Sequence, residues 1–170
     1  YTNPIERMDY DNFIDQAVAS GVDAVLTVDL PPEEAEEFNQ HLRQADLENI
    51  FLLAPTSTAE RQKKVTDMAG GFIYYVSLKG VTGAGNLDVE SVKKNVSNIR
   101  SLTDLPVCVG FGIKDGASAR AVADLSDGVV IGSVLVNQIA KLAEQGESDP
   151  SVYASAVSGI ITEIRQALDH

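Results

Sequence analysis

Five short apolar, β-rich runs alternate with segments of helical periodicity along the whole chain, and that alternation admits few folds. The runs are VDAVLTVDL from Val22, IFLLAP from Ile50, FIYYVS from Phe72, PVCVGFG from Pro106 and GVVIGS from Gly128. Nearly continuous apolar character marks strands buried on both faces, as in a parallel sheet. Parallel neighbours need a crossover, and the segments between the runs supply it as helices. Residues 9 to 20 predict a helix that begins at Asp9, turns Phe13, Ile14, Ala17 and Val18 to one face and stops at Gly21. Pro31 and Pro32, followed by Glu33 and Glu34, predict a helix start, with Ala35, Phe38 and Leu42 as its inward stripe. Ser57 with Glu60 has capping-box spacing, and Gly70-Gly71 closes that helix. Val89, Val92, Val96 and Ile99 repeat at helical spacing after Asp88. Val122 and Leu125 anchor a shorter helix, and Ile139 and Leu142 another. The last helix, after GESDP, carries Tyr153, Val157, Ile160, Ile161, Ile164 and Leu168.

The pattern implies an α/β fold of the (β/α)8 TIM-barrel type, forming a single domain over residues 1–170. Glycine and serine at the exits of the last two runs, GFG and IGS, favour the barrel over a doubly wound sheet, and no GxGxxG fingerprint follows any run. A full barrel takes eight units in typically about 250 residues. Five strands, with the exit of a sixth read at Tyr1-Thr2-Asn3-Pro4, make an incomplete barrel lacking its N-terminal strands. Open strand edges and an apolar lining are costly. Such a chain is expected to recruit strands, pair with a copy of itself, or belong to a longer parent.

Charge and composition narrow the partners. A formal net charge of -12 repels nucleic-acid backbones and anionic lipid surfaces. The single Cys108 sits in an apolar run and reads as a small core residue, compatible with a reducing cytoplasm. No apolar run reaches membrane-span length, and the amino end has no signal-peptide pattern, so a soluble cytoplasmic protein is expected. His41 and His170 have no neighbours at ligand spacing, which argues against a metal site.

The candidate chemistry gathers at three consecutive strand exits. Gly80, Gly83 and Gly85 follow the third run, Gly110 and Gly112 end the fourth, and Gly132-Ser133 ends the fifth just before a helix. Any one glycine is an ordinary turn residue, but the three exits together make a phosphate cradle of backbone N–H groups with no basic side chain. Ser133 lies outside any nucleophile-elbow pattern and reads as an anion-binding hydroxyl. Asp29, at the exit of the first run, could act as a general base if partly buried, or could cap the following turn or helix. Of Tyr74 and Tyr75, which alternate, one is expected to line the barrel, with Tyr75 in the core.

The segments DLPPEE (Asp29 to Glu34), SLKGVTGAG (Ser77 to Gly85), VGFGI (Val109 to Ile113) and IGSVLV (Ile131 to Val136) occur in an order and at separations that resemble the tryptophan synthase alpha subunit. The likeness runs over the whole chain, and Gly-Val-Thr-Gly-Ala is its most specific piece. Leu78-Lys79 departs from the pair usual before that motif. The resemblance implies a lyase of tryptophan biosynthesis that splits indole-3-glycerol phosphate into indole and glyceraldehyde 3-phosphate by a retro-aldol reaction. It implies no cofactor in this chain and a pyridoxal-phosphate-dependent beta subunit as partner in an alpha-beta complex.

By position, the resemblance makes Gly83, Gly112, Gly132 and Ser133 the phosphate-binding residues. Thr82 would ride on a closing loop, Tyr1 and Tyr74 would line the pocket, Leu52 and Phe111 would pack on the indole end, and Asp29 would lie near both pocket and partner. Asn3 and Pro31 match positions facing the beta subunit. The family's acid/base pair, a glutamate and an aspartate, would precede Tyr1, so no catalytic residue is assigned in these 170 residues. The chain alone is therefore expected to be inactive or nearly so. Two alternatives are another phosphate-binding barrel, such as a sugar-phosphate isomerase or epimerase, and a noncatalytic half-barrel assembly module.

Overall fold

A computed structural model describes residues 1–77, 89–110 and 112–169. Its five parallel strands are β1 (Ala24–Leu26), β2 (Glu48–Leu53), β3 (Ile73–Val76), β4 (Val107–Gly110) and β5 (Gly128–Val130); four lie inside their apolar runs, and β2 begins two residues ahead of its run, at Glu48. Strand order follows chain order, and helices occupy the connections, so the fold is α/β of the barrel type. The helices are α1 (Thr2–Met8), α2 (Tyr10–Ala19), α3 (Glu36–Gln44), α4 (Ala59–Met68), α5 (Val89–Arg100), α6 (Gly116–Ala123), α7 (Ser133–Glu144) and α8 (Pro150–Asp169). The chain divides into two compact units, Tyr1–Tyr75 with Ser97–Val107, and Val76–Val96 with Cys108–His170.

In the first unit the register explains the burial. Phe51 pairs with Ile73 and Leu53 with Tyr75, and all four are fully buried, because the side chains of this parity face the covering helices. Leu52 pairs with Tyr74 on the opposite face, where both are half-buried. The stripe on α3 is a core element, since Ala35, Phe38 and Leu42 are almost wholly inaccessible. Asn39 is buried beside them and donates its side-chain amide to the Met68 carbonyl at 2.9 Å, which ties α3 to the end of α4.

Asn49 is the exception on β2. Only 2% exposed, it has no hydrogen-bond partner among the described residues for either side-chain amide atom. A buried amide without partners forfeits its hydration and gains nothing in return, at a cost of about 1–3 kcal/mol. Replacing it with an apolar residue of similar size should therefore raise stability. The expected result is a Asn49→Leu chain that unfolds at a higher urea concentration than the parent with an unchanged denaturant slope. A midpoint at or below the parental one would show that the amide is satisfied in solution.

The second unit rests on close helix packing. Gly116 opens α6, and a Cβ there would lie 2.7 Å from the Ala167 methyl, so the first turn of α6 can approach α8 only because it carries no side chain. Ala119, Val122 and Ile164 fill the contact, and Arg120 donates to the Leu168 carbonyl at 3.1 Å. Asp115 N-caps α6 in a reciprocal box: its carboxylate accepts from the Ser118 amide at 2.8 Å and from the Ser118 hydroxyl at 2.7 Å. These bonds hold the Asp115 carboxyl below the usual carboxylate range.

Because that folded pKa is depressed, the stability it contributes is present above about pH 4 and fades as pH falls through the folded value. The stability difference between the parent and Asp115→Ala should thus be full at neutral pH and shrink on acidification. Urea titrations at several pH values would read it, and a pH-independent difference would contradict the linkage.

α7 has no buried residue, and Val136 and Ile139 on it are exposed. A cavity of about 680 Å³ lies within the same unit, lined by Val129, Val130, Leu135, Ile161 and Ile164 among others.

Several local expectations are corrected. The opening Tyr-Thr-Asn-Pro already belongs to a helix, with Tyr1 as the N-cap of α1; Pro4 falls in the first turn, where a missing N–H costs nothing. Pro31 and Pro32 form a turn, with Glu34 N donating to the Pro31 carbonyl at 3.0 Å, and α3 begins only at Glu36, since a residue before proline is held away from helical backbone. Thr58, not Ser57, caps α4 by accepting from the Arg61 amide, while the Ser57 hydroxyl accepts from Ala54 N. Val18 is 48% exposed, outside the buried stripe of α2. Asp88 and His170 lie outside the described residues.

Candidate functional site

The candidate residues fall into both units. In the second unit, β4 ends at Gly110 and is followed by Gly112, whose φ of 77° is left-handed backbone that glycine adopts without strain. β5 ends at Val130, Ile131 leads to Gly132, the N-cap of α7, and Ser133 is the first residue of that helix; Gly132 and Ser133 are exposed. The Gly132 carbonyl accepts from the Leu135 and Val136 amides at 2.9 and 3.1 Å, which starts the helix. No side chain caps this turn. An N-terminus of twelve residues' helix, uncapped and preceded by a glycine with open space where a Cβ would stand, presents positive potential and backbone donors to an anion.

In the first unit, Leu52 and Tyr74 stand side by side through the strand register, on the more open face of the sheet. Desolvation raises the Tyr74 hydroxyl above its ordinary pKa, so it is a neutral hydrogen-bonding group. Tyr75 is in the core, on the opposite face. Tyr1 is the N-cap of α1 and 78% exposed. Asn3 is exposed on the same helix, and Pro31 is half-buried in the turn after β1.

Asp29 lies between β1 and that turn. It is exposed, so the burial that a general-base role requires is absent. Its Oδ1 accepts from the Thr2 amide at 2.8 Å and from the Thr2 hydroxyl at 3.0 Å. Desolvation works to raise its pKa, but the Thr2 bonds outweigh it and hold the carboxyl below its usual value. Asp29 is thus a cap, though for α1, 27 residues upstream, rather than for the helix that follows. Thr2 was not legible as a site residue, because no local spacing links it to Asp29.

Gly83, Thr82 and Phe111 lie outside the described residues, as do Gly80 and Gly85. Cys108 is half-buried, and its thiol is pushed up by desolvation and by the Asp127 charge, which leaves it a poor nucleophile. His41 has a partner: its Nδ1 lies 2.9 Å from Asp11 Oδ1, a contact between α3 and α2. Among the described residues no group of three or more His, Cys, Asp or Glu could hold a metal ion, and no helix is long and apolar enough to cross a membrane.

The family model of the tryptophan synthase alpha chain matches residues 1–163. The chain belongs to the tryptophan synthase alpha chain family. A relative of that description from Burkholderia lata is 54% identical over 169 residues, which is 99% of this chain and 60% of the relative. One from Thioalkalivibrio sulfidiphilus is 51% identical over 169 residues and 62% of its length. Among solved structures, tryptophan synthase subunit alpha from Legionella pneumophila aligns with a TM-score of 0.86 at 37% identity, covering 99% of this chain and 60% of that one. A tryptophan synthase complex from Pyrococcus furiosus aligns with a TM-score of 0.80 at 31% identity, covering 98% and 63%. The chain therefore spans about 60% of the length of the curated relatives it matches.

Proposed function

We propose that this chain serves the retro-aldol cleavage of indole-3-glycerol phosphate to indole and glyceraldehyde 3-phosphate, as the part of a tryptophan synthase alpha chain that binds the phosphate and walls the pocket. The observation that carries this reading is the uncapped start of α7 behind Gly132, at a strand exit in a chain 54% identical to alpha chains. A phosphate there accepts hydrogen bonds from first-turn amides and from the Ser133 hydroxyl, and meets the positive end of the helix without any lysine or arginine. Gly112 and Gly83 complete the cradle. The family resemblance assigns substrate contacts to Tyr1, Leu52, Tyr74, Thr82, Phe111 and Asp29.

The partner is a beta subunit met by Asn3 and Pro31, and the pyridoxal phosphate belongs to that partner. The roles assigned here to this chain's residues are binding ones; the family's proton-transfer carboxylates match no position of these 170 residues. Loss of a positioned acid/base group costs about 100- to 10,000-fold in rate.

Titration with indole-propanol phosphate, with inorganic phosphate as competitor, tests the reading. Binding of the indole compound that phosphate displaces is the expected result. Equal affinity for a sugar phosphate lacking the indole would favour an isomerase or epimerase instead. Near-parental indole release from indole-3-glycerol phosphate would overturn the division of labour.

A further inference from the structure

A long-range polar clamp at the amino end of the first unit joins two elements that the proposed function needs in fixed relation. Thr2 is the first residue of α1. Both of its donors, the backbone amide at 2.8 Å and the hydroxyl at 3.0 Å, converge on the same oxygen, Oδ1 of Asp29. Two charge-assisted hydrogen bonds from one residue that converge on one carboxylate oxygen hold that oxygen in place more firmly than one would. On either side of Thr2 stand Tyr1 and Asn3, and two residues beyond Asp29 stands Pro31.

We propose that Thr2 is a positioning residue: its amide and hydroxyl hold the Asp29 carboxylate in one orientation, and so tie the pocket tyrosine Tyr1 and the partner-facing Asn3 to the β1 exit that carries Asp29 and Pro31. This rests on the proposed function for the roles of Tyr1, Asn3 and Pro31; the clamp itself rests on geometry alone. α1 is only two turns long and buries Ile5 alone, so little else holds its first turn against the loop. Without the clamp, the helix end and the loop move independently, and the partner meets a surface that must first be ordered. That ordering is a cost to binding.

Three substitutions separate the possibilities. Thr2→Val keeps the shape and the amide but removes the hydroxyl. Thr2→Ser restores the hydroxyl. Thr2→Pro removes both donors at a helix position where proline is favoured, so α1 itself is retained. Two measurements are made on the full 170-residue chain, namely the affinity for the beta subunit and the pH midpoint of the Asp29 carboxyl carbon by NMR.

The expected result is that Thr2→Val binds about tenfold more weakly, Thr2→Pro more weakly still, and Thr2→Ser within about twofold of the parent. Loss of the hydroxyl also moves the Asp29 midpoint up toward that of a free carboxylate, so partner affinity in Thr2→Val falls off at a higher pH on acidification than in the parent. An unmoved Asp29 midpoint overturns the clamp whatever happens to the partner. A drop in Tm with unchanged affinity and pH profile shows a helix cap and nothing more, and also overturns the proposal. Failure of the parent chain to bind the beta subunit, with the Asp29 midpoint responding as expected, overturns the partner reading instead and leaves the clamp a local one.

Discussion

Phe38→Ala is expected to lower the stability of the first unit by about 3–5 kcal/mol. Phe38 is 1% exposed in the middle of α3, between Ala35 and Leu42, which are fully buried. Its ring centroid lies 5.0 Å from that of Tyr10 and 6.1 Å from that of Phe13, so one side chain joins α3 to both aromatic rings of α2. Truncation removes the transfer free energy of the ring and leaves a cavity between two helices. The Tyr10 ring that borders it is itself held in place, donating to Glu6 at 2.9 Å and meeting His41 edge-on at 5.6 Å, so it cannot swing in to fill the gap. Desolvation, together with the Glu6 hydrogen bond, pushes the Tyr10 hydroxyl up to about 12, which keeps it a donor at any ordinary pH. Urea unfolding followed by tyrosine fluorescence would read the loss. Phe38→Leu, which refills much of the volume, should cost clearly less. A cost for alanine below about 1 kcal/mol would mean that the α2–α3 contact collapses without strain.

Gly132→Asp should change binding and stability in opposite directions. Gly132 N-caps α7 with no side chain serving the turn, and a Cβ built on it meets nothing within 4 Å. Aspartate there supplies a carboxylate that accepts from the first-turn amides, and a satisfied N-cap contributes about 0.5–2 kcal/mol. The same carboxylate occupies the place proposed for the phosphate and repels it. Affinity for inorganic phosphate is expected to fall by about 100-fold or more, because the donors are taken and a like charge has been added. Calorimetric titration with phosphate and a thermal melt would be run on the same sample. A higher Tm with abolished phosphate binding fits the cradle. Retained phosphate binding would place the anion elsewhere, and a lower Tm would show that the turn tolerates only glycine.

Much of the architecture was legible because parallel-strand packing writes itself locally. A strand buried on both faces must be apolar almost throughout, so each of the five runs marks one strand, although β2 starts two residues early with the polar Glu48 and Asn49. Helical stripes follow the same rule, and Val92, Val96 and Ile99 on α5 are buried as their spacing requires. Chemistry duplicated at neighbouring positions was less legible. Ser57 and Thr58 offer equal hydroxyls, and only the backbone decides that Thr58 caps α4 while Ser57 serves the preceding turn. The Asp115–Ser118 box has N-cap spacing, but the glycine between the two residues masks the helix start in the sequence.

For the site, sequence marked the glycines at the strand exits, because a cradle of backbone amides needs residues without side chains and those can be counted along a chain. It also determined the strand number, the parallel order and the family motifs, all of which depend on periods of a few residues. Tertiary structure alone decided that Leu52 and Tyr74 are neighbours, that Asn49 is buried without partners among the described residues, and that Asp29 is clamped by Thr2 rather than left as a free base. Each of these depends on which residues meet across 20 residues or more of chain, and a hydrogen bond of 2.8 Å leaves no trace in local periodicity.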